Sequence, residues 1–569
     1  MKTVLIPVVL AFSVSLVWVV SAADRQTPAP YKAGRSVTIA PHGMVATSHP
    51  LAAQIGLDIL KQGGNAIDAA IAVNAALGLM EPTSCGIGGD MFALVWDAKT
   101  QKLYGLNASG RAPYKATRDY FAQRRLKEIP VHGPLAWSVP GCVDGWETLR
   151  TRFGSLKLAQ LLEPAIRYAE EGHPVPEVIA GYWRASERTL SSTPEGASTF
   201  LINGRAPRKG EVFKNPRLAK TYREIAQGGR DAYYKGRIAQ EIVAYSDKVG
   251  GLFTLQDFHD HTSTWVEPVS TNYRGYEVWE IPPPGQGIAA LQMLNILESF
   301  DLKKMGPTSA EYWHLFTEAK KLAFADRARY YTDPSFTKVP VHQLVSKPYA
   351  AERRKLIQAE KAMTDVSAGD AKLGMAETAY LCVVDKDRNC ISLIQSNYTG
   401  FGSGHMAGEL GFGLQNRGTL FALDPNHANR LEPHKRPFHT IIPAFVTRDG
   451  KPYFVFGVMG GDMQPQGHVQ VLNNLLDFGM DVQAAGEAPR IEHLGSATPT
   501  GKEGVPHGGT IQVEQGISEA IVAGLKKRGH QVQIIRRNGG GYQGILIDPK
   551  TNMLHGGSEV RKDGCAAGY

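Results

Sequence analysis

From Thr378 onward the chain changes its hydrophobic period, and that change constrains the fold more than any other feature. "TAYLCVVD", the turn "KDRN" and "CISLIQS" alternate as two strands of a hairpin; "HTIIPAFVT", "RDGK" and "PYFVFGVMGG" form a second. Before Thr378 the pattern is mostly helical. "HPLAAQIGLDILKQGG" places Leu51, Ile55, Ile59 and Leu60 on one helical face, stopped at Gly63. "NAIDAAIAVNAALGLMEP" follows with Asn65 as cap, and because it is apolar on most sides it suits a helix packed between layers. "CGIGGDMFALVWD" and "KLYGLNASGRAPYKAT" each supply a strand, and residues 145–355 alternate helix and loop with few strands. After the second hairpin, "GHVQVLNNLLDFG" returns to helical spacing at Val469, Leu472 and Leu476. Strand pairs with helices before and after predict an α+β chain: two stacked, mainly antiparallel sheets between helix layers, a four-layer αββα arrangement.

The length of 569 residues and 43% hydrophobic content allow a large core. Residues 1–23, one Lys, an apolar run from Val4 to Val20, then Ser21-Ala22-Ala23, are a signal peptide cleaved near Ala22 or Ala23, the alternative being an uncleaved anchor. The mature chain is then expected in the periplasm or secreted, with no membrane contact after signal removal. The net charge of +8 is spread without a basic block, so it reads as solubility and not as a nucleic-acid footprint. Five cysteines in so long a chain do not make a disulfide scaffold. A suitable hairpin register brings Cys382 opposite Cys390, but buried thiols are the expectation. Neither the cysteines nor the seventeen histidines show metal-ligand spacing, so no metal or other cofactor is expected. The glycines of Gly86-Ile87-Gly88-Gly89 lead into a strand and not a helix, which argues against a phosphate cradle.

A threonine at a strand edge ordinarily reports β-propensity alone. Here it stands among segments that, in order, resemble the γ-glutamyltranspeptidase family of N-terminal nucleophile hydrolases: "GGNAIDAAIAVNAALGLMEP", "GIGGDMF", "SVPGCVDGWE", "IPPPGQG", "FADRARYYTDP", Thr378 before "CVVDKD", "FGSG", "KRPFHTIIPAFV", "GVMGGD" and the closing "AAGY". The resemblance runs from about residue 38 to the C-terminus. It implies one precursor that cuts itself between Glu377 and Thr378, giving a large subunit 24–377 and a small subunit 378–569 that stay joined as one αββα unit. In that scheme Thr378 Oγ attacks the Glu377 carbonyl, and small residues before Glu377 let the scissile peptide bend into attack geometry. The freed α-amine, which titrates near pH 8, then serves as the base for the same residue's hydroxyl. By resemblance, Gly460 and Gly461 hold the oxyanion on backbone N–H groups, and Ser396 orients the threonine.

The acyl pocket departs from the family pattern. Ser109 stands where the family has its Arg, with Arg111 two residues on; Tyr398 replaces an Asn, Leu420 an Asp, and His439-Thr440 a Ser-Ser pair. The Asp pairs with the substrate's α-ammonium, so its loss at Leu420 matters most. Arg111 and Arg417 remain as guanidiniums for a donor carboxylate. The chain is therefore expected to be a self-processing amide hydrolase or acyltransferase of γ-glutamyl-type amides, with water or an amine as acceptor. The alternatives are a glutaryl- or cephalosporin-type acylase and, in a different class, a non-catalytic periplasmic binding protein.

Overall fold

The computed structural model describes residues 31, 33–364, 376–536 and 540–569; the expected signal peptide and residues 365–375 of the segment before Thr378 lie outside the described residues. Two seven-stranded sheets stack face to face, and every neighbouring pair of strands is antiparallel. The first runs Cys565–Gly568, Met44–Thr47, Ala376–Val384, Cys390–Thr399, Asp90–Asp97, Lys102–Ala108 and Thr264–Val266. The second runs Thr38–Ala40, Leu554–Ser558, Tyr542–Ile547, Lys451–Val458, Ala444–Arg448, Tyr276–Glu280 and Val269–Tyr273.

Strand alternation explains the layering. Tyr380, Cys382 and Val384 point into the core between the sheets, against Phe445, Val455 and Ile545. Ala379, Leu381 and Val383 point the other way, under the helices Pro50–Lys61, Ala66–Met80, Leu158–Glu171 and Pro216–Tyr234. The helices Gly287–Leu297, Ala310–Tyr330 and Met463–Leu472 cover the outer face of the second sheet. The αββα arrangement expected from the change of period is the one observed.

Both hairpins form. The second turns through Asp449 and Gly450 with φ of 51° and 72°, the two left-handed residues a tight hairpin turn requires. In the first, Cys382 faces Ser392 and Cys390 faces Val384, so the thiols sit two rungs apart instead of opposite, and all five cysteines are free. Helix Ala66–Met80 is buried along its whole length, as its all-round apolar sequence predicts. Asn65 Oδ1 accepts from Ile67 N and Asp68 N while Asp68 Oδ2 accepts from Asn65 N, closing a capping box.

Three local outcomes differ from the sequence pattern. The strand expected from His439 starts only at Ala444, because His439 and Thr440 turn into side-chain contacts described below. The helix expected near Gly467 starts at Met463, directly beyond the Gly460-Gly461 turn, and its last turn widens at Asn473–Asp477. A three-stranded sheet of Ile491–Leu494, Thr510–Glu514 and Gln531–Ile535 lies apart from the main sandwich. Among the described residues no helix is long and apolar enough to cross a membrane.

Candidate active site

Thr378 occupies a break in the hairpin ladder. Glu377 faces Tyr398 and Ala379 faces Gln395, so Thr378 alone stands opposite both Ser396 and Asn397. Such a bulge re-aims a side chain. The Thr378 side chain is buried, and its Oγ1 has no hydrogen-bond partner among the described residues. On the opposing strand Ser396 Oγ accepts from Tyr398 N at 2.8 Å, and Tyr398 adopts φ of +80°, a left-handed conformation rare for a residue with a bulky side chain.

From Tyr398 a chain of contacts leads across the sandwich. The Arg417 guanidinium lies 4.8 Å from the Tyr398 ring centroid, and its Nη1 donates to Thr440 Oγ1 at 2.7 Å. Gln286 Nε2 donates both to the Thr440 carbonyl (2.7 Å) and to the Gly461 carbonyl (2.8 Å). Arg327 then grips Gln286 Oε1 at 2.6 Å and both oxygens of Asp462, at 2.6 and 3.0 Å. Against the cost of burial, Arg327 holds the Asp462 carboxyl below its ordinary range. These bonds fix the Gly460-Gly461 turn, whose φ values are 104° and 57°. Among the described residues neither glycine amide donates a hydrogen bond. The turn thus leaves two N–H groups unspent close to the end of the strand Lys451–Val458.

His439 is held by a different residue. Its Nε2 lies 2.7 Å from Asp90 Oδ2, while Asp90 Oδ1 accepts from Gly110 N and Gln415 Nε2, each at 2.8 Å. Burial, with Arg417 nearby, pushes the His439 imidazole down to about 4, so it is neutral at physiological pH. Leu420 is buried in an apolar cluster with Tyr398 and Phe438. Arg111 sits apart from these contacts: its Nη1 reaches the Thr262 carbonyl at 3.2 Å. Arg436 Nη2 shares that carbonyl, and its Nε donates to the Ser109 carbonyl at 3.0 Å, so a different arginine fills the space beside Ser109. Ser109 itself turns back to Asn107.

The structure therefore joins Tyr398, Arg417, Thr440 and Gly461 into one set of contacts adjoining Thr378 and Ser396, with His439 anchored through Asp90. Sequence reasoning missed Asp90, Gln286, Arg327 and Asp462. All four lie inside the quoted segments "GIGGDMF", "IPPPGQG", "FADRARYYTDP" and "GVMGGD", so the signal was present as motif and lacked only a partner. The glycine before Asp90 has a packing role: a Cβ on Gly89 would lie 2.4 Å from both the Ser396 carbonyl and Asn397 Oδ1.

Among the described residues, His314, Glu318 and His530 place ligand atoms within 4.8 Å of one another. They already satisfy each other: His314 Nδ1 meets His530 Nε2 at 2.8 Å, His314 Nε2 meets the Gln358 carbonyl at 2.8 Å, and Lys321 Nζ lies 2.8 Å from Glu318 Oε1. An ammonium thus already pairs with the one carboxylate of the group. A cavity of about 890 Å³ opens between helix Ala310–Tyr330 and residues 495–508. It lies beyond Arg327, whose Nη2 donates to the Ala497 carbonyl at 3.3 Å, and Thr378 does not line it.

Comparison with known proteins shows the family and the fold. The family model described as Gamma-glutamyltranspeptidase matches residues 52–569. The solved structure of a cephalosporin acylase from Bacillus halodurans superposes with a TM-score of 0.86 at 46% identity, covering 95% of this chain and 98% of that one. A glutathione hydrolase-like YwrD proenzyme of Bacillus subtilis (strain 168) is 40% identical over 92% of this chain and 98% of its own length. The glutathione hydrolase proenzyme of Escherichia coli (strain K12) is 34% identical over 93% of this chain and 92% of its own. With its αββα sandwich and a family match over residues 52–569, this chain belongs to the gamma-glutamyltranspeptidase family.

Proposed function

We propose that the chain is a self-processing threonine amidohydrolase and acyltransferase acting on γ-glutamyl-type amides, of which glutathione is one. The observation that carries this reading is the buried, unpartnered Thr378 Oγ1 at a ladder bulge. Processing proceeds when Thr378 Oγ attacks the Glu377 carbonyl. The C–N bond breaks, the Thr378 nitrogen leaves as an amine, and an ester joins the two pieces until water releases the Glu377 carboxylate. The product is a large piece, 24–377, held to a small piece, 378–569.

Turnover repeats the chemistry with the new amine as base. It takes the proton of the Thr378 hydroxyl as the oxygen attacks the substrate amide, and passes it to the departing amine. The tetrahedral oxyanion rests on the Gly460 and Gly461 amides. Ser396 orients the threonine, and water or a second amine takes the acyl group from the resulting ester. The apolar leader of residues 1–23 assigns this activity to the periplasm or the exterior. A second reading, a glutaryl- or cephalosporin-type acylase, is favoured by Leu420 in its apolar cluster.

Gel electrophoresis of the purified protein tests the scheme. Processing yields fragments of about 39 and 21 kDa, from 354 and 192 residues at the chain's mean residue mass. Thr378→Ala should stay whole and inactive, and Thr378→Ser should keep part of both functions. A binding protein would leave the wild-type chain uncut, and an uncut alanine variant with full activity would overturn the mechanism.

A further inference from the structure

The cavity of about 890 Å³ beside helix Ala310–Tyr330 has a basic wall. Lys321, Arg329, Lys502 and three histidines line it, against the single carboxylate of Glu503. Two of these cations are already paired, Lys321 with Glu318 at 2.8 Å and Lys502 with Glu128. Arg329 is not. It lies exposed at the rim, and among the described residues it makes neither a hydrogen bond nor an ion pair, only a ring contact with Tyr330 at 5.2 Å. Behind the wall Lys320 is 1% exposed and, among the described residues, forms no ion pair. Its Nζ meets His493 Nδ1 at 3.1 Å and donates to Ser496 Oγ at 2.8 Å, and both residues line the cavity. His493 Nε2 lies 2.6 Å from the Gly508 carbonyl, which takes only a donor, so Nδ1 is the acceptor and the neutral ring brings Lys320 no counter-charge. Of the carboxylates that act on Lys320, Asp462 is held by Arg327, and burial pushes Glu492 up to about 8, mostly into its neutral form at pH 7. Burial, with Arg327 nearby, pulls the Lys320 amine well below the ordinary lysine range. On the same wall the successive amides of Ser496 and Ala497 donate no hydrogen bond among the described residues. A buried cation without a counter-ion, beside unspent amides, is costly to keep unless an anion completes it.

We infer that this cavity is a binding site, separate from the Thr378 pocket, for a small molecule with a multiply charged oxyanion head, phosphate or polycarboxylate. Arg329 and the Ser496 and Ala497 amides hold the head, and Lys320 supplies charge from behind Ser496. Thr378, Tyr398, Arg417 and Thr440 do not line the cavity, so an occupant leaves the acyl pocket free. The volume is that of a small-molecule site and leaves room for more than the head alone. The inference stands apart from the Thr378 amidase reading and does not depend on it.

The test is calorimetric titration of the purified protein with inorganic phosphate and with citrate in a constant chloride background. At least one should bind saturably with a Kd below about 1 mM, and the tighter of the two assigns the head as phosphate or polycarboxylate. Arg329→Ala should weaken that binding by about tenfold or more, the worth of a charged hydrogen bond, and Arg329→Lys should restore part of it. Thr378→Ala should bind the anion as wild type does. Lys320→Met should also weaken binding; if it fails to fold, the two Arg329 variants decide. Binding of neither anion, binding unchanged in Arg329→Ala, or anion inhibition of anilide turnover that is purely competitive, which puts the anion in the Thr378 pocket, would each overturn the inference. Each of these outcomes leaves the amidase reading standing, and an uncut, inactive wild-type protein that still binds the anion removes that reading alone.

Discussion

Asp90 and His439 are joined by a 2.7 Å hydrogen bond between two fully buried side chains, one opening a strand of the first sheet and the other in the segment that enters the second. The same carboxylate also accepts from Gly110 N and Gln415 Nε2. Asp90→Ala would strand the buried Gly110 N and His439 Nε2 and leave Gln415 Nε2 only the carbonyls of Ser138 and Val139, each unsatisfied donor being worth about 1–3 kcal/mol. A loss of about 3 kcal/mol or more is expected in urea unfolding, and a smaller one for Asp90→Asn; an alanine variant as stable as wild type would show that the bond is incidental.

Gly457, in the second sheet, lies against the hairpin of Thr378 in the first. A Cβ there would lie 2.5 Å from the Tyr380 ring, itself fixed by a 2.8 Å bond to Ser392 Oγ. Gly457→Val should cost about 1–3 kcal/mol through overpacking. Because Tyr380 is two residues from Thr378, self-cleavage should slow as well, seen as an increased uncut fraction on a gel.

Gly460 and Gly479 separate backbone strain from catalysis. Both have positive φ, 104° and 68°, but a Cβ on Gly460 would lie 2.9 Å from Gly540 N while one on Gly479 meets nothing within 4 Å. Gly479→Ala should cost about 1 kcal/mol of stability and leave kcat intact. Gly460→Ala should lower kcat by about a hundredfold or more, since it displaces an oxyanion donor. Equal kcat for the two variants would remove the glycine turn from the mechanism.

Acid should weaken the folded chain well before its carboxylates titrate. Burial, the largest cause in each case, pushes His49, His468 and His530 down to about 3 and His173 and His439 down to about 4. In the unfolded chain these imidazoles bind protons near pH 6.5. The unfolded state therefore holds more protons below that pH, and the stability present above 6.5 is lost as pH falls toward 4. Glu492, pushed up to about 8 by burial and Asp462, works in the opposite sense: its contribution is full below about 4.5 and lost as pH rises through 8. Glu280, pushed well above the ordinary carboxylate range by burial, works in the same sense as Glu492. Five histidines outweigh two glutamates, so the melting temperature at pH 5.0 should fall below that at pH 7.0. A rise on acidification would contradict the burial of these rings.

The layers were legible in the sequence because they depend on short-range order, whereas Thr378 stood out only through the ordered family segments around it. Period-two alternation in "TAYLCVVD" assigns Tyr380, Cys382 and Val384 to one face whatever they meet there, and the apolar run of Ala66–Met80 must lie between layers wherever it packs. The strands Thr264–Val266 and Val269–Tyr273 were less legible, since they are short edge pieces whose stability comes from the sheets they join.

What sequence alone determined is thus the αββα scaffold, the family, and Thr378 as the residue at the strand mouth. Which arginine stands ready for a carboxylate was decided only by tertiary structure. Arg111 and Arg417 are equal candidates along the chain, but Arg111 reaches the Thr262 carbonyl while Arg417 is sealed beside Tyr398 with two donors unspent. Hydrogen-bond satisfaction is a property of what surrounds a group in space. Asp90, Gln286 and Thr440 reach the site from segments at least 154 residues apart, and no local pattern records who is left without a partner.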